Sequence, residues 1–197
     1  MTATAKPSSN ALSDLPAFLA AWNDPCHPRN AHRVGVHRME RGRLREQRHA
    51  EPGTGVALTR HHPLFFDVIE PAILPVVTGL VRHWSQITYS SCEGHPDDAR
   101  GVAERAYVGI IALDHAHEQR LERLLTGMTL EGPDSVLASP AIRVRPLVGP
   151  NLTTTAVDWL IVPGDGTSWT EYQAARDRLC AHASLQLRNL YHQARNA

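Results

Sequence analysis

The stretch IEPAILPVVTGLVRHWSQITYSSCEGH, residues 69–95, decides how this chain is read. Ile69, Ile73, Val76, Val77, Leu80, Val81 and Trp84 recur at helical spacing, so its first half predicts an amphipathic helix. Pro71 and Pro75 lie inside that run, and the helix either starts near Pro71 or is kinked there. A strand is predicted over 86–91, with Ile87-Thr88-Tyr89 as its apolar part. The hexapeptide Ser90-Ser91-Cys92-Glu93-Gly94-His95 then places a thiol, a carboxylate and an imidazole within four residues, beside a glycine, where a catalytic loop would sit.

Working outward, Arg105 to Leu113 reads as a second strand through Tyr107, Val108, Ile110 and Ile111. Asp114 is placed to cap a helix whose inner face is Leu121, Leu124 and Leu125, with Gly127 closing it. Ala141 to Val148 and Leu152 to Val162 read as two strands joined through Gly149-Pro150-Asn151. Ser168-Trp169-Thr170-Glu171 is a capping box that opens a long C-terminal helix carrying Tyr172, Leu179, Ala183, Leu187 and Leu190. The order helix, strand, strand, helix, strand, strand, helix predicts an α+β single domain: a four-stranded, mostly antiparallel sheet with helices mainly on one face.

Before Pro63 the pattern is irregular. Residues 1–12 read as a flexible tail. Residues 13–62 hold a helix that begins at Ser13-Asp14-Leu15-Pro16, then an Arg/His-rich segment with short strands near Val34, Val36 and Val56 to Leu58. Residues 63–197 are the expected α+β core domain.

Composition narrows the function classes. The 197 residues carry 20 Lys+Arg and 20 Asp+Glu, so no net charge draws the chain to nucleic acid or membrane. Lys6 is the only lysine, and arginine brings planar, bidentate anion recognition. Cys26, Cys92 and Cys180 are an odd and sparse set, which argues for a reducing compartment. Met1 to Asn10 is polar and unlike a secretory signal, and Ile73 to Val81 is too short to span a bilayer. A soluble, cytoplasmic protein is the expectation.

The candidate chemistry centres on the hexapeptide. Cys92 is placed as a nucleophile, with His95 as its base or electrostatic partner and Glu93 beside them. Gly94 allows a tight turn or a ligand's close approach. Ser90 and Ser91 can donate to an anion. Arg143 and Arg145 alternate with Ile142 and Val144, share one strand face, and can hold a phosphate or carboxylate of a small-molecule or nucleotide-like ligand. A metal reading joins Cys92-x-x-His95 to Asp114-His115-Ala116-His117-Glu118, because the helix begins at the end of the neighbouring strand. The twelve histidines mostly lie at non-ligand spacings, so no stoichiometric metal is expected. Arg29, Arg33, Arg38, Arg41, Arg43, Arg45 and Arg48 lack interleaved aromatics, which favours a solvated or partner-facing surface over nucleic acid.

Thr88-Tyr89-Ser90-Ser91-Cys92-Glu93-Gly94, following an apolar helix, is similar to the Thr-x-Ser-Ser-Cys-x-Gly element of the wybutosine-synthesis tRNA methyltransferase family. The variant Ser-Cys-Glu-Gly-His also resembles an element of small bacterial and phage proteins. The resemblance covers about residues 65–160, and the family's basic residue after the glycine is His95 here. It implies an α+β fold, a cleft around Cys92 and S-adenosylmethionine-dependent methyl transfer. The leading expectation is thus a small enzyme of modification or specialised metabolism. The alternatives are a non-catalytic accessory protein, docking through residues 26–62 to a partner enzyme or a second copy, and a metal-dependent enzyme using Cys92, His95, His115 and His117.

Overall fold

In the computed structural model, which describes residues 15–25, 31–35, 54–97, 102–103, 105–128, 134–149 and 152–196, the first helix α1 (Leu15–Ala21) buries Leu15, Phe18 and Ala21. Trp22 follows it, with its ring 5.5 Å from Phe18 and 5.6 Å from Phe65, close enough for edge and tilted contacts. Strands β1 (Ala31–Gly35) and β2 (Thr54–Leu58) pair antiparallel, with Ala31 opposite Leu58 and Gly35 opposite Thr54. Residues 59–68 wind through turns in which Phe65 donates to His62 and Val68 to Leu64. These parts belong to one compact unit, Met1–Val68 with Pro146–Thr153. The tail, Cys26 and most of the Arg/His-rich segment lie outside the described residues.

The second unit, Ile69–Arg145 with Thr154–Ala197, carries the sheet. Helix α2 (Leu74–Arg82) starts later than Pro71 and accommodates Pro75 in its first turn, where no helical N–H is lost. Strand β3 (Ile87–Cys92) runs on through Ser90, Ser91 and Cys92, so half of the hexapeptide is sheet rather than loop. Two short strands, β4 (Pro96–Asp97) and β5 (Val102–Ala103), pair with each other. Strand β6 (Ala106–Ala112) then leads into α3 (His115–Thr126), capped by Asp114, whose Oδ1 accepts the His117 N–H at 2.7 Å. A one-turn helix α4 (Asp134–Leu137) precedes β7 (Ala138–Gly149) and β8 (Leu152–Pro163). Helix α5 (Trp169–Asn196) opens on the expected box: Ser168 N–H donates to Glu171 Oε2 at 3.0 Å, and Glu171 N–H to Ser168 Oγ at 3.4 Å.

The four-stranded sheet has the order β3-β6-β8-β7. Strand β6 is antiparallel to both of its neighbours, with Cys92 opposite Tyr107 and Gly109 opposite Asp158. Alternation puts Val108, Ile110, Val157, Trp159 and Ile161, all buried, on one face. Helices α2 and α5 pack together, and Trp84 Nε1 donates to the Leu187 carbonyl at 2.9 Å. The Tyr172 hydroxyl ties α5 to the sheet, donating to the Ile161 carbonyl and accepting the Ala106 N–H, both at 2.8 Å. No helix among the described residues is long and apolar enough to cross a membrane.

The opposite face holds Cys92, Ser90, Tyr107, Gly109 and Asp158. A bulge between Thr88 and Ser90 gives β3 one residue more than its partner, which lets Tyr89 and Ser90 share this face although they are adjacent. The Tyr89 ring lies over Gly109: a Cβ there would stand 2.6 Å from Tyr89 Cε1. Gly109→Ala is therefore expected to push the ring aside and cost about 1–3 kcal/mol, measured by urea unfolding. An unchanged midpoint would mean that the ring moves freely.

Candidate functional site

Two polar clusters include residues of this face, one at the end of β3 around Cys92 and one around Asp158. The first is built from two distant pieces of sequence. Pro71 restricts Glu70 to extended backbone, and the Glu70 carbonyl accepts the N–H groups of Ile73 and Leu74 as the chain turns into α2. That turn aims the Glu70 carboxylate at the end of β3. Glu70 Oε2 accepts the Glu93 N–H at 2.6 Å, and Glu93 Oε2 accepts the Ala72 N–H at 3.1 Å. Each glutamate thus clamps the backbone of the other's segment. Gly94, at φ 76°, makes the turn that follows, a conformation that suits glycine, and its N–H points at Cys92 Sγ, 3.3 Å away. Arg176 of α5, 1% exposed, holds the same loop from behind by donating to the Glu93 carbonyl at 2.5 Å. Its guanidinium is in turn fixed by Asp177 and by the Trp169 ring.

The outcome is a carboxylate, a thiol and an imidazole meeting at one point. The donor atoms of Glu70, Cys92 and His95 all lie within 4.8 Å of one another. His95 Nε2 is 3.0 Å from Glu70 Oε1, an ion-pair distance. The two atoms nonetheless lack hydrogen-bond alignment, and Nε2 is buried with no hydrogen-bond partner among the described residues. Distance alone would suggest a settled pair; the orientation does not, and it is the orientation that decides what a proton or cation finds there.

The second cluster surrounds Asp158, which is fully buried on β8. Its Oδ2 accepts from Arg143 Nε at 3.1 Å, Arg143 Nη2 at 2.7 Å and Arg145 Nε at 2.7 Å. Its Oδ1 accepts the Tyr89 hydroxyl at 2.8 Å, and Arg145 Nη2 also touches that hydroxyl. Burial, then the Asp158 charge, pushes the Tyr89 phenol well above its ordinary value, so it stays protonated. Between the clusters, Tyr107 stands opposite Cys92, and its hydroxyl is 2.8 Å from Ser90 Oγ. Burial also raises the Tyr107 phenol.

Several sequence expectations change place. Glu93 spends its carboxylate on the Ala72 amide and acts as a clamp, not beside the thiol as a reacting group. Ser91 pairs with Val108 and so faces away from Ser90 and Cys92. His115 and His117 do not converge with Cys92. In the antiparallel pair Ile87 meets Ile111 while Cys92 meets Tyr107, so α3 begins beside the start of β3, about 17 Å along the strand from its end. His117 instead accepts the Leu113 N–H at 3.2 Å and bonds Gln86 at 2.7 Å, and burial lowers its pKa. Glu70, Asp158, Tyr107 and Arg176 were not among the expected site residues. Asp158 had a visible signal, a lone acid in an apolar strand facing a strand with two arginines; Glu70 had none beyond a Glu-Pro pair.

The sequence matches no protein-family model and no curated protein, and the structure matches no solved one.

Proposed function

We propose that this protein is a hydrolytic enzyme acting on a small anionic substrate, with Glu70, Cys92 and His95 as the reacting centre and Arg143 and Arg145 as the anion clamp. The observation that carries the reading is the meeting of carboxylate, thiol and imidazole within 4.8 Å, drawn from segments more than twenty residues apart. Such a group, two-thirds of it held by backbone N–H donors, is arranged for polar chemistry rather than packing. Two guanidinium groups share one carboxylate at Asp158, which leaves a positive excess. The Arg143 side chain is 39% exposed. Each arginine is held against Asp158 through one edge, so its remaining N–H groups are fixed in direction, a preorganised fork for a phosphate or carboxylate. Tyr107, kept protonated between the two clusters, is placed to donate to an oxyanion. Water adds to the acyl carbon or phosphorus, and its proton leaves with the alcohol.

A panel of phosphate and carboxylate esters, with and without a second anionic group, tests the reading. Cys92→Ala and His95→Ala are expected to lower kcat/KM by about 1,000-fold. Arg143→Gln is expected to raise KM about tenfold with a smaller effect on kcat. Equal turnover by wild type and Cys92→Ala would remove the assignment, and tight binding of S-adenosylmethionine in calorimetry would move it to methyl transfer.

A further inference from the structure

We infer that Glu70, Cys92 and His95 are three ligands of one zinc-class divalent ion, which makes the reactive species an ion-bound water. The inference rests on reading this cluster as the reacting centre and names the cofactor of that centre.

The geometry of the donors comes first. Ligands of a tetrahedral zinc ion stand about 2.0–2.3 Å from the metal, and so about 3.3–3.8 Å from one another. Donor atoms within 4.8 Å reach that arrangement by shifts on the order of 1 Å. The His95–Glu70 contact is the second argument. The Glu70 oxygen lies 3.0 Å from His95 Nε2 but off the line along which that nitrogen donates or accepts, so the in-plane position of Nε2 is filled by no described residue. A cation in that position would bond Nε2 and have the carboxylate oxygen beside it as a second ligand.

The surroundings of each donor fit the same assignment. Glu70 Oε2 is tied to the Glu93 N–H, which leaves Oε1 to face the centre. The Gly94 N–H donates to Cys92 Sγ and orients it, and Cys92-x-x-His95 around a positive-φ glycine is a two-ligand chelate loop. Glu93 and Arg176 fix the loop from either side. A thiolate and a carboxylate together balance a 2+ ion. Sulfur and imidazole donors select zinc or iron over magnesium or calcium. Three protein ligands leave the fourth position for water, which the ion acidifies. The hydroxide adds to the electrophilic carbon or phosphorus, the bond to the leaving group breaks, and the proton released from the water goes to the leaving oxygen. The histidines of α3 take no part, since they lie at the far end of the β3–β6 pair.

The test uses the full chain, freed of any histidine tag, supplied with zinc and then dialysed. Plasma mass spectrometry is expected to find about one zinc per chain. Cobalt in place of zinc should give a thiolate-to-metal charge-transfer band and tetrahedral d–d absorption. Cys92→Ser should lose the charge-transfer band. Cys92→Ser and Glu70→Gln, with circular dichroism checking their fold, should each weaken zinc at least about 100-fold. His117→Ala should leave affinity unchanged. Wild type without stoichiometric zinc, or a cobalt–thiolate band that persists in Cys92→Ser, overturns the inference. Failure of the functional reading looks different: zinc bound as described, but turnover unaffected by Cys92→Ser. Absent zinc with turnover abolished in Cys92→Ala would leave a metal-free thiol centre and reject the ion alone.

Discussion

Asp158→Ala is expected to lower the unfolding free energy by about 3–5 kcal/mol, toward the lower end of that range. The carboxylate is fully buried on a central strand, and among the described residues it is the negative charge that holds Arg143, Arg145 and the Tyr89 hydroxyl together. Without it, two guanidinium groups are left side by side on β7 with no shared carboxylate. Arg143 can turn outward and recover water, which limits the loss. Arg145, with a side chain only 16% exposed and stacked 5.7 Å from the Tyr89 ring, cannot. Most of the penalty is thus one stranded cation rather than the lost attraction, because a paired buried charge gives little net stability over an apolar pair. That distinction is measurable. Arg145→Met added to Asp158→Ala should recover part of the loss, so the two substitutions together cost less than their sum. Urea unfolding of the four species reads both quantities. A single-variant cost below about 1 kcal/mol, or strict additivity, would show that the network is loosely held and that the clamp is not preorganised.

The same cluster shows what a sequence reveals and what it withholds. Asp114, the Ser168–Glu171 box and the alternation over 141–162 are local signals, and each element they predict is present. Pro71 and Pro75 left the start of α2 open, since proline suits a first turn as well as a kink; hydrogen bonds from Ile73 and Leu74 to the Glu70 carbonyl settle it. Strand β3 read as ending near Tyr89 to Ser91 because Ser90, Ser91 and Cys92 are polar. What keeps them in the sheet is non-local, the register opposite Tyr107 to Gly109 and the Ser90–Tyr107 contact. The partner of Cys92 and His95 was sought downstream, at His115 and His117, on the premise that neighbouring strand ends coincide. Antiparallel pairing reverses that premise and brings Glu70, upstream, to the site. Nothing in a Glu-Pro pair distinguishes such a residue from an ordinary helix entry.

Stability is expected to fall steeply above pH 9, and the groups responsible can be named. Burial raises the Cys180 thiol from 9.0 to about 12, with the Arg176 charge opposing and Asp177 and Glu93 adding to it. Burial likewise raises Tyr172 from 10.0 to about 12, and Tyr89 further. In each case the folded protein holds a proton that the unfolded chain releases at a lower pH. The stability these groups contribute is complete below the unfolded values and is lost as pH rises from those values toward the folded ones. Cys180 acts first, between pH 9 and 10, on the order of 1.4 kcal/mol per pH unit; above pH 10 the tyrosines add similar slopes. For Tyr172 the burial lies where β8 meets the start of β6, its hydroxyl enclosed between the Ile161 carbonyl and the Ala106 N–H, so an ionised oxygen there would be desolvated. Urea midpoints at pH 8, 9, 10 and 11 test the claim. Cys180→Ala should flatten the profile between pH 9 and 10, and Tyr172→Phe the profile above pH 10, each beyond its own constant cost at pH 8. Parallel profiles for all three proteins would mean that the alkaline loss does not arise from the protons held on Cys180 and Tyr172.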